Sequence, residues 1–432
     1  MQMLLTNALL ADIDPPRVEA GALRIDGGLI IERGSALRRA AGDEVVDCGG
    51  AVVLPGLVNG HTHLYSALAT GMPPPPVAPH DFLEILRFVW WRLDQALDEE
   101  AIAASARIGA IDALHCGTTT LIDHHASPNC IGGSLDLIES ALAEVGPRGV
   151  LCYETTDRHG RAGRDAGLAE NRRFAARCRR SGGGRFAALI GAHASFTLDD
   201  DALDALAAIA SETGVGVHIH VAEDPCDAAD AENRRGRGLL DRLSAHGLLG
   251  GSSIFAHGTH LSPADAQRVN AAGVTMAHNP RSNMNNAVGY APVGSFTGPV
   301  MLGTDGIGGD MLAEARAAWF ISRHQQAGLT PQRMIEMLAA AARRASASLG
   351  VTLGKLKPGA AADVVVTDYH PATPLTTENL AGHLLFGLNA RHVSDVLIDG
   401  RWRLRGRTLV GLDEGSLRAS SQRIADHLWA AM

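Results

Sequence analysis

Apolar residues fall into two textures along this chain. Near the N-terminus, the short runs Leu23–Ile25 and Leu29–Ile31 flank Asp26-Gly27-Gly28, a turn signal, and predict hairpin strands. The same texture returns in Ala362–Thr367 and in Val393–Ile398, which Asp399-Gly400 follows. Two strand-rich ends around a different middle predict one small β-sandwich domain, built from residues 1–55 and 355–432 and closed by a C-terminal helix.

Residues 56–354 alternate differently, with short apolar runs ending in polar residues and then Ala/Leu-rich stretches such as Ser134–Glu144, Asp200–Ser211 and Pro331–Leu349. Strand–helix alternation on this scale predicts a parallel α/β architecture. Eight runs can be counted, ending near His61/His63, Asp123–His125, Glu154, His193, His218/His220, His257, His278 and Asp305. A (β/α)8 barrel gathers its strand ends at one mouth, where its active site is built. A doubly wound open sheet would cluster polar ends at a single switch point. The distribution over all eight runs favours a distorted (β/α)8 TIM barrel.

Composition narrows the function. With 432 residues, 46% of them hydrophobic, the chain can bury a core without a structural metal or disulfides, so a bound metal would be functional. A net charge of −9 argues against nucleic acid or an anionic membrane as partner. No apolar stretch reaches membrane-spanning length, and Met1–Pro15 does not read as a signal peptide. Six dispersed cysteines, none in a Cys-x-x-Cys pair, fit buried thiols and a cytoplasmic setting. The lysines are Lys355 and Lys357, both late in the chain, so chemistry needing a central lysine is excluded.

His61-Thr62-His63 ends the first run, and residues i and i+2 of a strand share a face. That spacing alone is a weak signal. It gains force from His218-Ile219-His220-Val221-Ala222-Glu223 and from Gly303-Thr304-Asp305-Gly306. Three imidazoles and a carboxylate leave an open position on Zn²⁺ or Fe²⁺ for water, whose pKa then falls to about 7. Asp305 stands where it can both touch the metal and take the proton.

Taken together, Leu54-Pro55-Gly56-Leu57-Val58-Asn59-Gly60-His61-Thr62-His63, His218–Glu223, Ala256-His257, His278-Asn279-Pro280-Arg281-Ser282-Asn283 and Gly303–Gly306 resemble the amidohydrolase superfamily. Within it they resemble the branch of cytosine and guanine deaminases and triazine hydrolases. The stretch Asp81–Glu84 with Trp90–Asp94, and Asp123–Asn129, is similar to the SsnA aminohydrolases. The resemblance implies metal ligands at His61, His63, His220 and Asp305. It implies that His257 polarises the substrate or the attacking water, and that Glu223 shuttles protons. Two-metal members carry a carbamylated lysine near the end of strand four, where this chain has His193 and no lysine. One divalent transition metal is therefore expected, Zn²⁺ in the first place and Fe²⁺ in the second. Relatives usually have cysteine where Gly258 stands, a departure that touches packing; His260 remains without a role.

The expected activity is hydrolytic deamination of a small heterocycle, of purine, pterin, pyrimidine or triazine type. Cyclic-amide or halide hydrolysis on the same metal is the alternative, and a non-catalytic metal-binding barrel a more distant one. Expected substrate contacts are His193, His278, Trp90 and His125. For the two lone histidines the rival reading is a hydrogen-bonded core role, and for Trp90–Trp91 a packed helix. His124 and His125 are adjacent on a strand, so at most one faces the pocket. His218 reads as packing behind His220. A homo-oligomer, most simply a homodimer, is expected.

Overall fold

The computed structural model describes residues 2–181 and 183–432. Its central part is an α/β fold with eight parallel strands: β1 (Leu57–Thr62), β2 (Thr118–His125), β3 (Arg148–Tyr153), β4 (Phe186–Ala188, resuming at Ile190–Ala194), β5 (Val217–Val221), β6 (Ile254–His257), β7 (Thr275–His278) and β8 (Val300–Leu302). β1 to the first half of β4 form one parallel sheet, and the second half of β4 to β8 form another. The two sheets meet at both edges. Thr62 bridges Asp305 just past β8, and Thr155 just past β3 bridges Ala192 of β4. The arrangement is TIM-barrel-like, and these strands are buried on both faces, which is why they read as apolar runs rather than alternating patterns. At the first of these edges Gly303 is required: a Cβ there would lie 2.7 Å from His61 Cβ.

Helices cover the outside. Pro331–Leu349 shows why their ends are well marked. Thr330 accepts from the Arg333 backbone, Pro331 occupies the first turn, and Gly350 ends the helix at φ 71°. Its Ala, Leu and Met face packs onto β1 and β8. Among the described residues, no helix is long and apolar enough to cross a membrane.

Both ends of the chain share one nine-stranded sheet. Val364–Thr367 runs antiparallel to Val52–Pro55, which in turn pairs with Met3–Ile13. The Asp26–Leu29 turn closes a hairpin between Pro16–Asp26 and Leu29–Gly34. Leu5, Leu10, Leu23, Ile25, Val364 and Leu397 share a buried cluster here. One charged pair ties this sheet to the parallel strands. Arg148 at the start of β3 grips both oxygens of Asp363, at 2.8 and 2.9 Å, with both side chains almost fully buried. Removing one partner strands the other charge in a dry interior, at a cost of about 3–5 kcal/mol. Arg148→Met should therefore lower the thermal unfolding temperature by several degrees. An unchanged transition would show that water already reaches this pair.

Candidate metal centre and catalytic site

At the C-terminal ends of the strands the polar terminations face one another. His63, just past β1, donates from Nδ1 to the His124 carbonyl at 2.6 Å, and His220 donates from Nδ1 to the His193 carbonyl at 2.8 Å. Carbonyl oxygens only accept, so neutral rings at both positions carry bare Nε2 atoms. Those two nitrogens stand 3.3 Å apart. His61 Nδ1 lies 2.9 Å from His218 Nε2, which turns His61 Nε2 toward the same point. Asp305 Oδ1 completes the group, 3.1 Å from His61 Nε2 and 2.9 Å from His63 Nε2.

Lone pairs and a carboxylate at such separations repel unless a cation lies among them. Ligand atoms about 2.0–2.2 Å from one tetrahedral ion are themselves roughly 3.3 Å apart. The donor set therefore fits a divalent transition metal. His257 also belongs to a group with His61, His220 and Asp305 whose ligand atoms can meet one ion.

Three neighbours of this centre sit in strained backbone. Ala222, His257 and Asp305 adopt the left-handed region at φ 50°, 70° and 56°. Each costs roughly 1–3 kcal/mol for a non-glycine residue, and such strain concentrates at functional sites. The kinks turn the chain off β5, β6 and β8 so that Glu223, His257 and Asp305 aim inward. Glu223 Oε2 lies 3.5 Å from His257 Nε2. Burial raises the Glu223 carboxyl to about 7, placing it near the operating range of a proton shuttle.

A single short helix, Pro280–Asn285, braces these groups. Ser282 Oγ donates to Asp305 Oδ2, Asn283 Oδ1 accepts from His257 Nδ1 at 2.8 Å, and Asn286 just beyond hydrogen-bonds Glu223. Arg281 anchors the helix to the buried Glu314. None of these braces was expected from the sequence. Amides and hydroxyls carry no spacing signature, although Ser282 and Asn283 lie within a motif already singled out as a whole.

A cavity opens over the centre, lined among others by Trp90, Trp91, Asp94, Glu154, His193 and Glu223. His193 is therefore at the wall, and burial lowers its ring to about 3, so it is neutral. Trp90 and Trp91 reach the cavity from a segment whose helix relaxes into a π turn over Leu86–Trp90. Two expected contacts lie elsewhere. His125 turns away from the cavity and meets Ser127 at 2.9 Å, because alternation on β2 gives the inward side to His124. His278 is buried against Tyr290, with ring centroids 5.8 Å apart, outside the cavity lining. His218 lies behind the centre, between His61 and Cys152. Asp94 and Glu154 are wall residues that the sequence did not flag as contacts, and Arg158 stands behind them. Asp94 Oδ2 meets Arg158 at 3.1 Å, and the guanidinium lies 4.5 Å over Trp91.

Residues 52–403, most of the chain and all of this site, match the profile of the amidohydrolase family. The chain belongs to that family. Among its amidohydrolase relatives is the 5-methylthioadenosine/S-adenosylhomocysteine deaminase of Desulforudis audaxviator, 28% identical over 99% of both chains. A 5'-deoxyadenosine deaminase of Methanosarcina mazei is 27% identical over 99% of this chain and 98% of its own. Two solved structures share the amidohydrolase fold. The adenosine deaminase of Xanthomonas campestris, with bound zinc, gives a TM-score of 0.86 at 22% identity, covering 99% of this chain and 98% of that one. The zinc-complexed atrazine chlorohydrolase of Arthrobacter aurescens gives 0.82 at 22% identity, covering 98% and 100%.

Proposed function

We propose that this amidohydrolase is a metal-dependent aminohydrolase that deaminates a small nitrogen heterocycle. The observation that carries the reading is the meeting of bare imidazole nitrogens and Asp305 beside a carboxyl, Glu223, whose pKa lies near neutrality. The names of the relatives, deaminases of adenosine-type compounds, support it. Closure of all eight strands into one distorted (β/α)8 barrel over residues 56–354 is part of this reading. The Thr62–Asp305 and Thr155–Ala192 bridges support it. The shared terminal sheet supports a β-sandwich domain of residues 1–55 and 355–432.

In this reading His61, His63, His220 and Asp305 hold one ion, Zn²⁺ by preference. A bound divalent metal supplies Lewis acidity and brings the pKa of a coordinated water to about 7. Asp305 accepts the proton that the attacking water gives up. Its Ser282 contact occupies Oδ2 and leaves Oδ1 turned to the imidazoles. His257, held through Nδ1 by Asn283, presents Nε2 to the charge that develops on the substrate. Glu223 gives its proton to the ring nitrogen; the proton that Asp305 took from the water then goes to the departing amine, and Glu223 recovers a proton from the added hydroxyl as the carbonyl forms. Trp90 and Trp91 offer a flat wall against which a heterocycle can lie.

Purified protein should hold one divalent transition metal per chain, and chelation should abolish ammonia release from purines, pterins, pyrimidines or triazines. Readdition of zinc should restore it. Release of halide or a ring-opened acid in place of ammonia would overturn the deaminase reading. Two tightly held ions per chain with dependence on bicarbonate would overturn the one-metal site.

A further inference from the structure

Glu154, just past β3, stands between two histidines whose rings are oriented by other partners. His124 donates from Nε2 to the His218 carbonyl at 3.1 Å, and its buried Nδ1 is left without a hydrogen-bond partner among the described residues. His193 Nδ1 lies 2.6 Å from Thr197 Oγ1. That hydroxyl gives its own proton to the Ala194 carbonyl at 3.1 Å, so it accepts from Nδ1–H and leaves His193 Nε2 bare. The Glu154 carboxylate lies 3.3 Å from His124 Nδ1 and 3.6 Å from His193 Nε2.

With both rings neutral, Glu154 and His193 at the cavity wall and His124 behind them are three acceptors facing one another, an arrangement that is costly unless something donates to it. The nearby donor is Arg158 Nη2, 3.6 Å from Glu154 Oε1 but closer, at 3.1 Å, to Asp94 Oδ2. A second metal ion is a poor occupant. The ion-holding group that includes Glu154 is completed by His63 and His220, whose Nε2 atoms are committed to the first centre. The cavity therefore has two unlike walls. Glu223, from the β5 end, is placed to supply a proton, with His257 fixed beside it by Asn283. Glu154 and His193, from the β3 and β4 ends, can only accept protons.

A ring that deaminates here has two atoms flanking its amino-bearing carbon. Glu223 takes the flanking imine nitrogen, and the other flank turns to the accepting wall. We propose that Glu154, with His193, accepts an N–H on that second flank, so that the preferred substrates are cyclic acylguanidines. In these rings, isocytosine and pterin among them, the amino-bearing carbon lies between an imine nitrogen and an N–H. In cytosine and in 6-aminopurines the second flank is carbon and offers no such proton. The inference rests on the deaminase reading and names the substrate class for the same site.

Isocytosine and cytosine contain the same atoms and differ in this flank, so they isolate the effect. Ammonia release from both, and from pterin and adenosine, is compared for the zinc-loaded full chain, Glu154→Gln and Glu154→Asp. Calorimetry measures the binding of isocytosine and cytosine in parallel. Isocytosine should be favoured over cytosine by about 10²-fold in kcat/KM, mostly through KM, because a buried acceptor left unpaired rejects the poorer donor. Glu154→Gln should cut that preference to within about threefold at unchanged metal content, and Glu154→Asp should keep part of it. Thr197→Val, which removes the acceptor that orients His193, should weaken the preference as well and serves if Glu154→Gln does not fold. A preference for cytosine or adenosine in the parent enzyme would overturn the proposal, as would an unchanged preference in Glu154→Gln. Loss of a metal equivalent in Glu154→Gln would overturn it too, in favour of an ion at this wall. Halide or a ring-opened acid in place of ammonia would defeat the deaminase reading, and the two binding isotherms would still decide the flank.

Discussion

Asp305→Asn should lower kcat by about 10⁴-fold, the upper range for loss of a positioned proton acceptor, and should also reduce the metal content of the purified protein. Both effects follow from one atom. Asp305 Oδ1 lies within 3.1 Å of His61 Nε2 and His63 Nε2, while Ser282 takes Oδ2. Asparagine keeps the size but offers a neutral oxygen as ligand and cannot accept the proton of the attacking water. Kinetics in excess zinc separate the two roles. If turnover returned to near normal once the metal was saturated, Asp305 would be a ligand only, and the base would have to be found elsewhere.

Glu223→Gln should keep its metal and fold and still lose about 10²- to 10⁴-fold in kcat. Glutamine preserves the contacts that place the side chain beside His257 and Asn286 but cannot release a proton. The pH dependence supplies a second reading. Burial raises Glu223 from 4.5 to about 7, so the group is protonated below that pH and ionised above it. Because it acts first as an acid, kcat/KM should fall as pH rises through about 7, and the glutamine variant should lack that limb. Stability carries the opposite information. The unfolded chain ionises Glu223 at lower pH than the native chain does. The parent should therefore lose stability relative to Glu223→Gln between about pH 4.5 and 7, and no further above it. Parallel melting curves across that range would expose any other sign.

The strand ends were legible because polar residues interrupt otherwise apolar runs, and the fold places those interruptions at one mouth. Helix Pro331–Leu349 was legible to the residue, since Thr330, Pro331 and Gly350 mark its ends chemically. Other parts depended on three-dimensional facts. Alternation said that His124 and His125 diverge, but only the direction in which β2 faces decides which is inward. Ser282, Asn283 and Asn286 brace groups up to 63 residues away in sequence, as with Asn286 and Glu223. Nothing in local sequence pairs them. Glu154 was visible as a strand end, but its isolation from donors follows from hydrogen bonds that Thr197 and His218 make elsewhere.

The shared terminal sheet has a consequence for how the chain is born. Val52–Pro55 finds one of its two neighbours in Met3–Ile13, already synthesised, and the other in Val364–Thr367. About 300 residues must emerge before that second neighbour exists, a delay on the order of 15 to 60 s at ordinary elongation rates. Throughout that interval the nascent N-terminal strands present an unpaired, strongly apolar edge, Val52-Val53-Leu54. Such an edge invites pairing with other chains. Soluble yield should therefore depend on translation speed and holding chaperones more than the stability of the finished molecule would suggest.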